Sequence, residues 1–309
     1  MRCVISVLMI LSAIQLQAQL NADTAIARIH LEKIVNEPGY RNYKNPDRLN
    51  STADYIRDVF SQYAVTDTEQ VYTVGGEQYR NIICSFDTAH TERIIIGAHY
   101  DVCMDQPGAD DNGSGVAGLL ELARLLSGKE LNYRIDLVAY TLEEPPFFGS
   151  ENMGSYVHAR WLYEQKIPVA GMISLEMIGY FSDEKNSQSY PLKIMKCLYG
   201  SRGNFISVIM RAGNGKFPRK FNRKMKRSCD LKTRSLKTPR NIRGIDYSDH
   251  RNYWAFGYSA LMITNTAFFR NTNYHETSDT LGTLDIKRMC QVVDGVANAI
   301  LKLKREIKN

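Results

Sequence analysis

The segment 94–126, IIIGAHYDVCMDQPGADDNGSGVAGLLELARLL, constrains this chain more than any other. It places a strand, a loop rich in Gly and Asp, and a helix in immediate succession. Residues 93–98 are a β-branched run bounded by polar residues, which predicts a buried strand of an α/β sheet. His99 and Asp101 follow at its carboxyl end. Residues two apart in extended chain point to the same side, so Asp101 can accept the second ring N–H of His99 and fix which nitrogen faces outward to a metal. The next stretch, GADDNGSG at 108–115, is too rich in Gly and Asp for regular structure, and it runs into an apolar helical pattern at 116–126. Taken alone, the segment is served equally well by a metal site and by a tight turn with a helix cap, since Asp and Asn favour both turns and caps.

The 309 residues, 44% hydrophobic and 23% charged, suit one large α/β domain and require no second. Arg2, an apolar run at 4–14 and the small Ala18 form an export-signal pattern with cleavage after Ala18. The run is too short to remain as a membrane span, so the mature chain, 19–309, is expected to be exported to the periplasm or the medium without a membrane anchor. Five cysteines remain (Cys84, Cys103, Cys197, Cys229, Cys290). They have no C-x-x-C spacing, so a cysteine zinc site is not indicated, although one disulfide is compatible with export.

Residues 21–35 and 46–63 carry helical apolar spacing, and 71–86 holds two alternating runs around Gly75-Gly76, a hairpin signal. Three further strands are expected at 134–142, 169–175 and 259–264. The first leads to Glu143-Glu144, the second to Glu176, and the third to a loop that reaches Tyr274-His275. A buried strand before Glu143-Glu144 and the segment PPFF after it make an unusual setting for a solvated acidic pair. The four strands deliver polar residues to their carboxyl ends, where ligands bind in open α/β sheets. An amphipathic helix at 285–302 closes the chain. The expected fold class is α/β: a mostly parallel mixed sheet with helices on both faces and an antiparallel edge from the early hairpin. The basic segment 216–243 has twelve Lys or Arg against the single acid Asp230. Phe217, Phe221 and Met225 recur there every four residues, which fits a helix with a solvated charged face rather than a nucleic-acid footprint.

HYD at 99–101, GADDNGSG at 108–115, EE at 143–144, LEMIGY at 175–180, SDH at 248–250 and YHETSDT at 274–280 occur in this order. Together they resemble the M28 family of co-catalytic zinc peptidases, which includes secreted bacterial aminopeptidases. The resemblance runs from about residue 45 to the end. It implies the phosphorylase/hydrolase-like fold of zinc aminopeptidases and two Zn²⁺ per chain. By motif position it implies His99 and Glu176 on one zinc, Glu144 and His275 on the other, Asp111 between them, and Glu143 as the general base that acts on a metal-activated water. Asp101 stays behind His99 as its supporting residue. Many family members carry Asp where this chain has Glu176, whose longer side chain has to be set further back. PPFF also departs from the aminopeptidases and is expected at the substrate entrance.

Imidazole with carboxylate suits zinc better than magnesium or calcium. Without metal, Asp111, Glu144 and Glu176 would repel one another and take up protons. Two ligands per side plus one bridge leave room for water and substrate. Asp249-His250 precedes an aromatic segment in the pattern of a buried structural contact, and His30, His90 and His158 read as surface or helix residues. A glutaminyl-cyclase-like zinc acyltransferase with one metal is the alternative to a peptidase. Those enzymes typically have Trp before the final histidine, where this chain has Tyr274. The expected partner is a peptide, with no nucleic acid; the sequence leaves the oligomeric state open.

Overall fold

Eight strands form one sheet among the described residues, and the β-branched runs lie at its centre. In this computed structural model, which describes residues 19–239 and 242–305, the chain runs α1 (Thr24–Val35), α2 (Pro46–Ser61), β1 (Thr66–Val74), β2 (Glu77–Phe86), β3 (Arg93–His99), α3 (Gly115–Leu126), β4 (Arg134–Tyr140) and α4 (Gly154–Glu164). It continues through β5 (Val169–Glu176), α5 (Ile194–Tyr199), β6 (Ile206–Arg211), α6 (Phe217–Met225), β7 (Thr233–Thr238), α7 (His250–Ala255), β8 (Ala260–Thr264) and α8 (Ile286–Leu301). The export-signal pattern at 1–18 lies outside the described residues. No helix among the described residues is long and apolar enough to cross a membrane.

The strand order is β1-β2-β4-β3-β5-β8-β6-β7. Strands β4, β3, β5 and β8 are parallel, so their carboxyl ends open onto one edge of the molecule. The early hairpin supplies the antiparallel edge, β1 pairing with β2 and β2 with β4. Its turn is Gly75-Gly76, both at positive φ, which glycine adopts without a Cβ clash. The opposite edge also turns over: β6 is antiparallel to β8, and β7 is parallel to β6. That second reversal goes beyond the expected fold. Strand β7 (TRSLKT) is mostly half-exposed and polar, so it has no apolar alternation to reveal it. It occupies part of the basic segment, whose earlier part is α6 with Phe217, Phe221 and Met225 buried.

Side-chain alternation divides the core between the two faces of the sheet. Along β3, Ile94, Ile96 and Ala98 pack on the side of α1, α2, α3, α6 and α8, while Ile95 faces Ala159 and Leu162 of α4 and Tyr253 and Trp254 of α7. Helix α1 begins three residues later than its apolar spacing suggests because Asp23 caps it, accepting the N–H groups of Ala25 and Ile26. Gly97 permits close approach within the sheet: a Cβ there would lie 2.2 Å from the Tyr140 ring. The five cysteines at 84, 103, 197, 229 and 290 are all free.

Beneath β4 runs a buried polar chain in which the Tyr253 hydroxyl lies 2.7 Å from that of Tyr140 and 2.6 Å from His158 Nδ1. His158 is a helix residue but not a surface one, being 1% exposed. His30 is likewise buried, with Nδ1 on the Tyr55 hydroxyl, and His90 bonds the Leu131 carbonyl. Burial lowers the His158 pKa from 6.5 to about 4, with Asp136 opposing and Arg93 assisting. The unfolded chain therefore binds the extra proton first as pH falls from 6.5 towards 4. The neutral imidazole contributes full stability above the unfolded pKa and loses it across that window, by about 3 kcal/mol in total. His158→Gln removes this titration, so the variant is expected to lose less stability than the wild type between pH 7 and pH 4.5 in urea unfolding. Equal losses in the two proteins would show that His158 is not the titrating group.

Candidate functional site

The parallel strand ends bring six of the singled-out side chains into one buried pocket. His99 is the last residue of β3, Glu143 and Glu144 lie just beyond β4, Glu176 is the last residue of β5, and His275 comes from the loop after β8. Asp111 sits in the turn at 109–114 that joins β3 to α3. Its two carboxylate oxygens face different histidines: Oδ1 is 3.4 Å from His99 Nε2 and Oδ2 is 3.2 Å from His275 Nε2. On the first side Glu176 Oε2 is 3.5 Å from His99 Nε2, and on the second Glu144 Oε2 is 3.2 Å from His275 Nε2. Glu143 Oε2 stands 3.9 Å from His99 Nε2.

Hydrogen bonding explains why Asp111, rather than its neighbour, faces the histidines. Asp110 Oδ1 accepts the Gly179 N–H, and its Oδ2 accepts the side-chain amides of Asn265 and Asn271. Asn112 accepts from Met177 N–H and donates to the Leu175 carbonyl, while Ser114 Oγ accepts from Ile178 N–H. Asp279 accepts the N–H groups of both Asp110 and Asp111. Arg41 donates to the carbonyls of Pro107 and Gly108 at the start of the turn. Every polar side chain of the turn except Asp111 is thus occupied in fixing the backbone on either side.

The flanking backbone is held in an uncommon state. Leu142, Met177 and His275 all adopt positive φ, which costs a residue with a Cβ about 1–2 kcal/mol each. Asp101 fixes the first of these positions: its Oδ1 accepts Glu143 N–H at 3.1 Å and its Oδ2 accepts Glu144 N–H at 3.0 Å. Beside His99 Nδ1, the carbonyl of Asp101 is nearer, at 3.2 Å, than its carboxylate, at 3.5 Å. The carboxylate that the spacing assigned to the imidazole therefore mainly anchors the acidic pair.

Electrostatics show what the donor set of the pocket favours. Burial, and then the charge of Asp111, push the Glu144 carboxyl up to about 8. Burial also raises Glu143 well above the carboxylate range, and raises Glu176. For Asp111 burial works upward, but the nearby imidazoles of His275 and His99 outweigh it and lower the pKa. For His99 burial works downward, yet Glu143, Asp101, Asp111 and Glu176 together raise it. Asp111 Oδ2, Glu144 Oε1 and His275 Nε2 are buried without a hydrogen-bond partner. Buried unsatisfied donor and acceptor atoms that converge on one space call for a cation, and imidazole with carboxylate is the donor set of a borderline transition metal. His99, Asp111 and Glu176 form one group able to hold a metal ion, and Cys103, Glu144 and His275 form another.

Ser248 and Asp279 stand within the SDH and YHETSDT motifs without an assigned role, and Cys103 was not picked out at all. Ser248 Oγ donates to Glu176 Oε2 at 2.8 Å and lies 2.8 Å from Ser174 Oγ. Asp279 pins the turn, and Cys103 joins the His275 side. Asp249 is fully buried, and burial pushes its pKa up to about 7. His250 bonds the Ile245 carbonyl and meets the Trp254 ring edge-on. An apolar cleft opens from Glu176 and Tyr274, lined by Tyr190, Phe205, Phe268 and Met262. PPFF does not line this cleft: Phe147 packs on Tyr43 and Tyr79, and Phe148 lies against Tyr247 and Arg251.

Fold and pocket together define an α/β enzyme that gathers metal-type donors at the carboxyl ends of its parallel strands. The chain belongs to Peptidase family M28, whose sequence pattern matches residues 81–300. It is accordingly a hydrolytic peptidase and its substrate is a peptide. The uncharacterized protein YfbL of Escherichia coli (strain K12) is 46% identical over 272 residues, which cover 85% of this chain and 83% of that protein. The Legionella pneumophila LapA aminopeptidase superposes with a TM-score of 0.70 at 19% identity, over 92% of this chain and 73% of that one. Bacteroides thetaiotaomicron glutaminyl cyclase also gives a TM-score of 0.70, at 18% identity, over 93% and 100%. At such identities these two structures speak for the fold alone.

Asp101→Asn tests the anchor of the acidic pair. Asn offers one acceptor oxygen where two backbone N–H groups point, so one N–H is left facing an amide NH₂. The expected cost is about 1–3 kcal/mol, read as a lower urea midpoint with unchanged slope. An unchanged midpoint would show that the two N–H groups find other partners.

Proposed function

We propose that the chain is an exported zinc-dependent exopeptidase, most specifically an aminopeptidase, acting from 19–309 as one peptidase domain. His99 and Glu176 would hold one zinc, Glu144 and His275 the other, with Asp111 between them. The observation that carries this reading is the orientation of the Asp111 carboxylate, with one oxygen towards each histidine at 3.4 and 3.2 Å. When bound, the two ions lower the pKa of a water in the pocket and polarise the scissile carbonyl.

The remaining steps belong to the side chains. Glu143 accepts a proton from the attacking water and returns it to the leaving amine, which requires a carboxylate that is positioned but not consumed as a ligand. Asp101 holds the backbone of both glutamates so that neighbouring side chains serve different partners. Ser248 holds Glu176, and the longer reach of Glu relative to Asp is taken up at the end of β5. The apolar cleft beside Glu176 and Tyr274 receives a side chain of the substrate. The charged residues of 216–243 serve as a solvated face and not as a nucleic-acid site. Export is supported by the pattern at 1–18.

Acyl transfer by a one-metal, glutaminyl-cyclase-like enzyme is the competing reading. Metal analysis after zinc saturation separates the two: two equivalents per chain are expected, and one would favour the cyclase. A peptide-library digest with zinc present is expected to show residues released from the amino terminus; release from the carboxyl terminus would overturn the aminopeptidase assignment.

The adjacent glutamates should also separate by role. Glu143→Gln keeps the shape but removes the base, so kcat is expected to fall by about 10²- to 10⁴-fold with bound zinc unchanged. Glu144→Gln removes an anionic ligand and is expected to lose zinc. Zinc content and kcat measured for both variants in one buffer decide the matter: loss of zinc from the Glu143 variant alone would reverse the roles.

A further inference from the structure

Cys103 lies in the loop that leaves β3, four residues after His99, and is 4% exposed. A buried free cysteine usually behaves as a small apolar filler, and Cys84 and Cys290 do so within the main hydrophobic core. Cys103 belongs to neither hydrophobic cluster. Its sulfur instead lies beside Glu144 and His275. The sulfur, a carboxylate oxygen of Glu144 and a ring nitrogen of His275 all lie within 4.8 Å of one another. Glu144 Oε1 and Asp111 Oδ2, buried and without hydrogen-bond partners, border the same space. A tetrahedral zinc with a sulfur at ~2.3 Å and nitrogen or oxygen at ~2.0–2.2 Å keeps its donors roughly 3.3–3.8 Å apart. Side-chain adjustment of about an ångström therefore brings this set to bonding distance.

We propose that Cys103 is a thiolate ligand of the metal held by Glu144 and His275. The proposal rests on the reading of those two residues as metal ligands. Binding exchanges the S–H bond for a sulfur–metal bond and releases the proton to solvent, so nothing is oxidised or reduced. With Asp111, Cys103 completes four protein donors on this side, the number found in closed structural sites. The His99 side has His99, Glu176 and Asp111, three donors, and keeps a position open. Glu143 stands on that open side, 3.9 Å from His99 Nε2. The two halves would thus be unlike: the His275 side would hold its ion with more protein donors, and the His99 side would leave more room for water and substrate beside Glu143. A thiolate also biases the closed half towards Zn²⁺ over Mg²⁺ or Mn²⁺.

Metal-free protein titrated with Co²⁺ provides the test. Sulfur-to-cobalt charge transfer absorbs in the near ultraviolet, while the visible d–d bands report cobalt whatever its ligands. The charge-transfer band is expected to rise with one of two equivalents and to be absent from Cys103→Ser, in which the d–d bands persist. Zinc affinity of that half is expected to fall by more than the roughly 10- to 100-fold that loss of an outer-shell partner costs. Visible bands without charge transfer in the wild type would overturn the thiolate while leaving the metal site intact. An undiminished band in Cys103→Ser would assign the sulfur elsewhere and overturn it as well. No cobalt uptake would overturn the proposal together with the metal reading on which it rests. Zinc K-edge absorption on the wild type needs no variant: a sulfur scatterer at about 2.3 Å is expected, and a shell of nitrogen and oxygen alone would refute the assignment.

Discussion

The pocket is built around one carboxylate that its own loop leaves free. In the turn 109–114 the side chains of Asp110, Asn112 and Ser114 each hold a backbone N–H of the segment 177–179, and Asp279 holds the N–H groups of Asp110 and Asp111. A buried N–H or C=O left unpaired costs about 1–3 kcal/mol, so these bonds determine where the turn can sit. Once they are made, Asp111 has no competing donor nearby except the imidazoles of His99 and His275. These bonds tie the entry into α3 to the segment that follows β5.

The same crowding that makes the pocket reactive makes it costly to fold. Glu143, Glu144 and Glu176 are buried beside Asp111, and burial is the largest influence raising each of the three glutamates. Positive φ at Leu142, Met177 and His275 adds backbone strain where the functional side chains are presented. The cores on both faces of the sheet carry this load, because the parallel strands are buried along nearly their whole length. In this respect the site resembles others in which local rules are broken for function and compensated elsewhere.

Much of this was legible in the sequence because strand and helix periods are local. The runs before His99, Glu143-Glu144 and Glu176 had to be strands, and a polar residue closing a buried strand in an α/β sheet points to the ligand-binding edge. Less legible were features that depend on contacts distant in sequence. Asp110 and Asp111 are chemically identical, and only Asn265, Asn271 and Gly179, far along the chain, occupy the first and leave the second. Asp279 and Ser248 act through side-chain bonds to residues distant in sequence, which no periodicity encodes. Strand β7 lies at a half-exposed edge among basic residues, so its polar sequence reads as surface. Cys103 was set aside because cysteine spacing was judged only against other cysteines; its neighbours are a histidine and a glutamate instead.

The two histidines are not equivalent, and the difference bears on how the pocket is entered. His99 is fixed at the end of a central strand with its side chain 1% exposed, whereas the side chain of His275, on a loop, is 25% exposed. Tyr274 stacks on His275 with ring centroids 3.8 Å apart, and it also lines the apolar cleft. Tyr274 and the carboxylate-bearing Glu176 therefore line one and the same cleft. Glu176, which also lines this cleft, is held by Ser248, whose hydroxyl lies 2.8 Å from that of Ser174 of β5. The wall near His99 is thus tied to the sheet and the wall near His275 to a loop. The sheet side fixes His99 at the end of β3, whereas His275 depends on its loop and on the stacking of Tyr274.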